Sequence, residues 1–444
     1  MSLSTNDSLL SAILNRRSRR FGRGMHLQGG PLEFKSEQNA RPLSIDEEAA
    51  LAFSASGITG FVSGELPYRP GPQPESGGGH MMTRFWGRTI PSADGLHTVS
   101  LFVTNDEGCW YVKRPQDFAV GDLPEIIQLG RQKQWTELYK ETRVKIAQKR
   151  VDVPRAVPFH PSFNLWDCNA AGTTLFLPVN EVTEIYLTVL FASLNEHAAC
   201  LFIDDRNGLV PAGLAPFGKR YGGWLHDDPA DGRIMTLTDL ESWLFELPAI
   251  EQGAMVQNLG LMTQALGLGG FPHYAAHPYK WFEAMGFRMG QVPLPQFPGG
   301  TDSVKSPDQQ RAAGILVDVG LGLEVDGQSL IKPYCPPYYA SMREAVLAFV
   351  DYKFHQQTGT YHGGERTSGW RDAEKVQSEI PGYSQQNIEA VIAYCEYLWE
   401  TYGRFPLTSG PVRTIMAYQA HYVEKDFYRS FYRPEVIEDV EEKR

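Results

Sequence analysis

The stretch EQGAMVQNLGLMTQALGLGG, residues 251–270, carries the sharpest structural signal in the chain. Met255, Leu259, Met262 and Leu266 recur at spacings of four, three and four, which places one apolar stripe along a helix predicted over 251–266. Gly267 suits an ordinary helix C-cap, while Gly269 and Gly270 lack the side chains that would keep a ligand off the backbone.

Working outward, Leu9, Leu10, Ile13 and Leu14 have helical spacing and lead into the basic run Arg16, Arg17, Ser18, Arg19, Arg20. Ser44 reads as an N-cap with Glu47 at the capping-box position, opening a helix that runs to about Ser56. Val99–Thr104 and Cys109–Val112, flanking Asn105, Asp106, Glu107 and Gly108, read as a hairpin. Residues 123–150 are helical and charged in composition, and further strands are expected at Thr173–Leu177 and Ala199–Ile203, around a helix at 181–196. The proline- and glycine-rich segment 64–79 is expected to be a flexible surface loop, 290–311 is loop-like, and a strand follows at 314–325. From Pro336 helical periodicity dominates, at 339–357, 384–402 and 411–431. This predicts an α+β protein: a mainly antiparallel sheet flanked by helices over 1–335, then an α-helical extension over 336–444.

Composition narrows the function. The 444 residues are 42% hydrophobic and carry a net charge of -11, so non-specific nucleic-acid binding is disfavoured and any phosphate site must be local. Cys109, Cys168, Cys200, Cys335 and Cys395 are widely spaced and form no C-x-x-C pair, which argues against a disulfide framework or structural zinc. Residues 185–201 are interrupted by Asn195, Glu196 and His197, too polar for a membrane span. With no leader-like segment at the start, a cytoplasmic location is expected.

Three elements point to chemistry. The arginines and hydroxyl at 16–20 suit a dianionic phosphate, although a basic run alone is more often a solvated face or a membrane- or partner-facing patch. Arg88 to Gly95 precede the Val99 strand, and Pro91 and Gly95 would shape a tight turn whose amides and Ser92 hydroxyl could approach a planar ring; an ordinary strand-entry turn is the alternative. The third element is the helix 251–266 with its trailing glycines. In this order they resemble the nitroreductase superfamily of FMN enzymes, most closely the branch of flavin dehydrogenases that oxidise azolines in peptides. The matching segments are RRSRR at 16–20, PSADG at 91–95, QNLGL at 257–261 with ALGLG at 265–269, and PLSIDEE at 42–48. The likeness runs discontinuously over about residues 9–325. The family's late LG-x-P…GYP segment has only a partial echo in Met285, Gly286 and Phe287.

The resemblance implies a nitroreductase-like fold, a homodimer with FMN at the subunit interface, and hydride transfer through flavin N5. It assigns the FMN phosphate to Arg16, Ser18 and Arg20, with Arg17 contributing. Pro91, Ser92 and Gly95 would line the flavin from the partner's side. Gly269 and Gly270 would admit the ring, and Tyr274, Ala275 and Ala276 would present a backbone amide to N5. Arg88 is the candidate cation for the reduced ring. The reaction would be either NAD(P)H-driven reduction or oxidation of a bound small molecule or peptide. An inactive flavin-binding or sensing protein on the same fold is the alternative.

Other candidates weigh less. His273 and His277 are four apart but lack an intervening glutamate and are flanked by Pro272 and Pro278, so no metal site is expected. Gly320 and Gly322 do not complete a dinucleotide fingerprint. Arg404 and His421 are either helix-packing residues or substrate contacts, and Cys335 has no neighbouring base.

Overall fold

The computed structural model describes residues 9–64, 66–69, 71–78, 84–92, 95–157, 159–274, 278–293, 316–355, 358–403, 405 and 416–441. Ala93, Asp94, Ala275, Ala276, His277 and Arg404 lie outside the described residues.

Helix α1 (Leu9–Asn15) is followed by a two-stranded ribbon, β1 (His26–Leu27) with β2 (Phe34–Lys35). Helix α2 (Ile45–Ser56) begins at Ser44, with the reciprocal Ser44–Glu47 capping box that the sequence predicts. A second ribbon joins β3 (Ile58–Phe61) to β4 (Trp86–Arg88). The predicted hairpin forms as β5 (Val99–Asn105) and β6 (Gly108–Val112), followed by α3 (Leu123–Arg131), α4 (Trp135–Glu141) and β7 (Arg143–Ala147). Next come β8 (Thr174–Asn180), α5 (Thr183–Ser193) and a small sheet of β9 (Leu201–Asp204), β10 (Val210–Pro211) and β11 (Ile234–Thr236).

Helix α6 spans Leu237–Ala265, longer than predicted because it begins before Pro248 and continues through it. Its start is capped by Thr236, whose side chain accepts from the Asp239 amide. The chain continues through β12 (Gly269–Tyr274), α7 (Pro278–Ala284) and a sheet of β13 (Arg288–Pro293), β14 (Leu316–Val325) and β15 (Gln328–Ile331). Strand β13 takes the first residues of the segment expected to be loop. Helices α8 (Met342–Phe354), α9 (Ala373–Ser378) and α10 (Gln385–Tyr402) follow, then β16 (Met416–His421), α11 (Lys425–Phe431) and α12 (Pro434–Glu441).

The central sheet is antiparallel throughout, in the order β12-β16-β8-β5-β6-β7. Period-two alternation splits its side chains between two cores. Val99, Leu101, Val103, Phe176 and Tyr418 face α2 and α6. Phe102, Tyr111, Leu175, Leu177 and Ala417 face α7 and the β13–β15 sheet through Trp281, Phe282 and Ile331. A third core joins α5 and the first half of α6 to α8 and α10.

The segment beyond 336 departs from the purely helical expectation. Where periodicity predicts one helix over 411–431, residues 416–421 form β16, an interior strand of the central sheet next to its edge strand β12. Met416, Tyr418 and Ala420 do alternate with Gln419 and His421, but six residues are too few for that period to stand out from helical spacing in the flanking sequence. Together with the third core, this interleaves the C-terminal segment with the rest of the chain. Among the described residues no helix is long and apolar enough to cross a membrane.

A buried carboxylate ties the α2 layer to the sheet. Glu48 accepts from Asn105 Nδ2 at 2.7 Å, Tyr139 Oη at 2.9 Å and Thr174 Oγ1 at 3.1 Å, with Arg143 Nη1 at 3.6 Å. Glu48→Ala strands these donors and leaves the Arg143 cation unpaired, so it should lower unfolding free energy by about 3 kcal/mol, read from the urea midpoint.

Candidate functional site

The arginine run meets the glycine-edged end of α6 in space. Helix α1 packs on α6, and residues 16–20 then cross its C-terminal end. The Arg19 amide donates to the Gly270 carbonyl at 3.1 Å, an isolated antiparallel bridge. Arg19 Nη1 reaches Gln264 Oε1 at 2.9 Å, and burial lowers the pKa of its guanidinium. Arg20 forks onto Asp167, Nε to Oδ2 at 2.7 Å and Nη2 to Oδ1 at 3.0 Å. It also donates to Asn164 Oδ1 and the Phe163 carbonyl and lies 4.8 Å from the Phe271 ring centroid. Arg16, Arg17 and Ser18 are exposed. Arg17 caps α1 by donating to the Leu14 and Arg16 carbonyls, and Arg16 passes over Gly260 beside Tyr418.

The glycines have a different use from the one expected of them. A Cβ at Gly269 would sit 2.8 Å from His421 Nε2, and one at Gly270 would sit 2.7 Å from Tyr418 Oη. The protein's own β16 side chains fill that space, so these two glycines admit strand packing. His421 is wedged against Gly22 on its other side and is 2% exposed. Burial pushes its imidazole down to about 4, partly offset by the Arg19 backbone.

The turn at 91–98 is anchored elsewhere. Ser92 Oγ donates to Glu251 Oε1, and Glu251 Oε2 accepts from the Thr98 amide at 3.0 Å, Thr98 Oγ1 at 2.8 Å and the Val99 amide at 3.1 Å. The Gly95 amide closes the turn onto the Ser92 carbonyl, with φ at 61°, which only glycine adopts without strain. Pro91 is exposed. Arg88 is 6% exposed and donates to the Ser56 carbonyl at 3.2 Å and the Val99 carbonyl at 2.7 Å, so it pins α2 to β5. Burial lowers its pKa to about 10. Glu251 and Gln264 stand thirteen positions apart on α6, roughly 20 Å at the helical rise. Within one chain, therefore, the turn and the arginine run occupy separate points along that helix.

Sequence reading missed the partners that hold these elements: Glu251, Gln264 and Asp167. Polar residues inside a helical period were the available signal for the first two. Asn258 of the QNLGL motif is a structural clamp, donating to the Ser54 and Thr89 carbonyls at 2.9 and 3.0 Å. His273 Nε2 lies 3.9 Å from Cys168 Sγ, and burial pushes that thiol up to about 12. The Cys335 thiol is likewise raised by burial. Tyr274 ends β12. Among the described residues no three His, Cys, Asp or Glu side chains gather as metal ligands.

No protein-family profile matches the chain, and no curated protein matches it. Among solved structures it is similar to a Ralstonia eutropha JMP134 protein described as a "putative nitroreductase", at 12% identity over 63% of this chain and 75% of that one, with a TM-score of 0.30. A score of that size carries no weight for fold or function.

His421 gives the site a pH signature. Its folded pKa lies below the ordinary 6.5, so the unfolded chain binds the extra proton, and stability present above pH 6.5 is lost as pH falls toward 4. The full loss is about 3 kcal/mol. His97, lowered to about 2 by burial and by Arg88 and Arg84, acts in the same direction. Urea unfolding between pH 4.5 and 7 should show this slope, and His421→Asn should reduce the proton uptake on unfolding by about one.

Proposed function

We propose that the chain is an FMN-dependent oxidoreductase of nitroreductase type that works as a homodimer and moves hydride through flavin N5. The observation that carries this reading is the docking of the arginine run on the α6–β12 junction through the Arg19–Gly270 bond, which joins two motifs far apart in sequence.

Arg16, Arg17 and Ser18 fit the phosphate end: two guanidinium forks and a hydroxyl on one exposed turn match a dianion. Arg19 props that turn through Gln264, and Arg20 braces it through its fork on Asp167. The ring end needs a second copy, since His421 and Tyr418 fill the space over Gly269 and Gly270. A covering surface stands beside the arginines. Helix α1 leaves Leu9, Leu10, Ile13 and Leu14 exposed by 50% or more, an apolar strip that a two-fold mate would bury. That mate's 91–95 turn would then line the flavin, and the stretch Tyr274, Ala275 and Ala276 would offer an amide to N5.

Bound there, FMN supplies two-electron hydride chemistry. The chain's share is to hold the phosphate, orient the ring and exclude water, with Arg88 positioning β5 rather than touching the cofactor. The electron donor is NAD(P)H, or the small molecule or peptide that is itself oxidised.

The purified protein should be yellow, dimeric and bleached by NAD(P)H or by substrate. Replacing Arg16 and Arg17 together by glutamate should weaken FMN binding roughly a hundredfold, the effect of losing two charge-assisted contacts. A colourless protein whose melting temperature FMN does not raise would overturn the reading. A yellow protein that no donor bleaches would favour a flavin-binding sensor instead.

A further inference from the structure

We propose that the cavity between residues 115–123 and the side chains of Tyr352, Thr358, Thr360 and Arg366 is a second ligand site, built for a small aromatic carboxylate. Its volume is about 430 Å³, in the range of small-molecule sites, and it shares no lining residue with the arginine cluster. Trp86, Phe118, Val120 and Leu123 give it apolar walls, and Tyr352, Thr358 and Thr360 add hydroxyls. Such a lining takes an apolar ring and fixes it with a few polar contacts.

The charge of the ligand follows from the cations around it. Arg366 lines the cavity, is exposed, and makes no ion pair or hydrogen bond among the described residues. A single open guanidinium fork matches the two oxygens of one carboxylate. On the inner wall Arg84 is buried, paired with Glu184 and donating to Tyr352 Oη at 3.0 Å. Next to it Lys353 is 1% exposed, its ammonium 5.3–5.8 Å from the ring centroids of Phe349, Tyr352 and Tyr361. Two buried cations against the one carboxylate of Glu184 leave this wall positive, and burial accordingly lowers the Lys353 pKa to about 8. An anion in the cavity relieves that surplus.

Gln116 adds an independent sign. It lines the cavity, and both polar atoms of its carboxamide are buried without a partner among the described residues. Folding alone gains nothing from such a group, and residues that break a local rule concentrate where a site is held ready.

Calorimetric titration of the full-length protein with 4-hydroxyphenylacetate and with its uncharged isostere 4-hydroxyphenylacetamide tests the site. The acid should bind saturably, and the amide at least tenfold more weakly. Arg366→Ala should bring the acid down to the level of the amide. Gln116→Leu should raise the melting temperature of the free protein while weakening the acid. Flavin content should be unchanged in both variants, so failure here is separable from failure of the flavin reading. Absence of saturable binding, equal binding of acid and amide, or an Arg366→Ala protein that binds like wild type would overturn the proposal. A Gln116→Leu protein that melts lower and binds the acid like wild type would overturn it as well.

Discussion

A long helix that buries polar side chains gains by finding them partners, and α6 pairs four polar residues with remote segments along its second half. Glu251 holds Ser92, Thr98 and the Val99 amide. Gln252 donates to Asn180 at the end of β8, Asn258 clamps the end of α2 to the Thr89 carbonyl, and Gln264 receives Arg19. Each contact engages a segment remote in sequence, and an unmade one would leave a buried group unsatisfied. The helix therefore works as a spine that fixes the heights of the strand-entry turn, the sheet and the N-terminal arginines.

That spacing shapes what the chain can bind. A net charge of -11 makes the surface repulsive to phosphate, yet Arg16 and Arg17 stand exposed on a turn whose neighbours are spent inward. Arg20 faces the buried carboxylate of Asp167, and Arg19 faces a neutral amide, so the two outer cations are the ones left for an anion. The same economy holds at Arg88, whose Nε and Nη1 go to carbonyls of α2 and β5. A cation in a motif becomes a ligand group only if the interior does not claim its hydrogen bonds first.

Much of the architecture was legible in the chain before any coordinates. The Ser44–Glu47 capping box, the hairpin at 99–112 and helix α10 rest on interactions between residues close in sequence, where propensity and period speak directly. Helix α6 was legible only in its second half. Pro248 reads as a break, but burial of Leu240 and Leu244 against α5 and α10 carries the helix through it.

What tertiary structure alone decided are the matters of pairing. Residues 416–421 became an interior strand because β8 and β12 flank them as ladder partners, a pairing invisible in a six-residue segment. Gly269 and Gly270 mark close approach, as their composition promised, but the approaching group is β16's own His421 and Tyr418. Sequence names residue types that can serve a ligand, because donor chemistry is intrinsic to the side chain. Whether a ligand or the fold receives that donor depends on which segments arrive beside it, and only the folded chain fixes that.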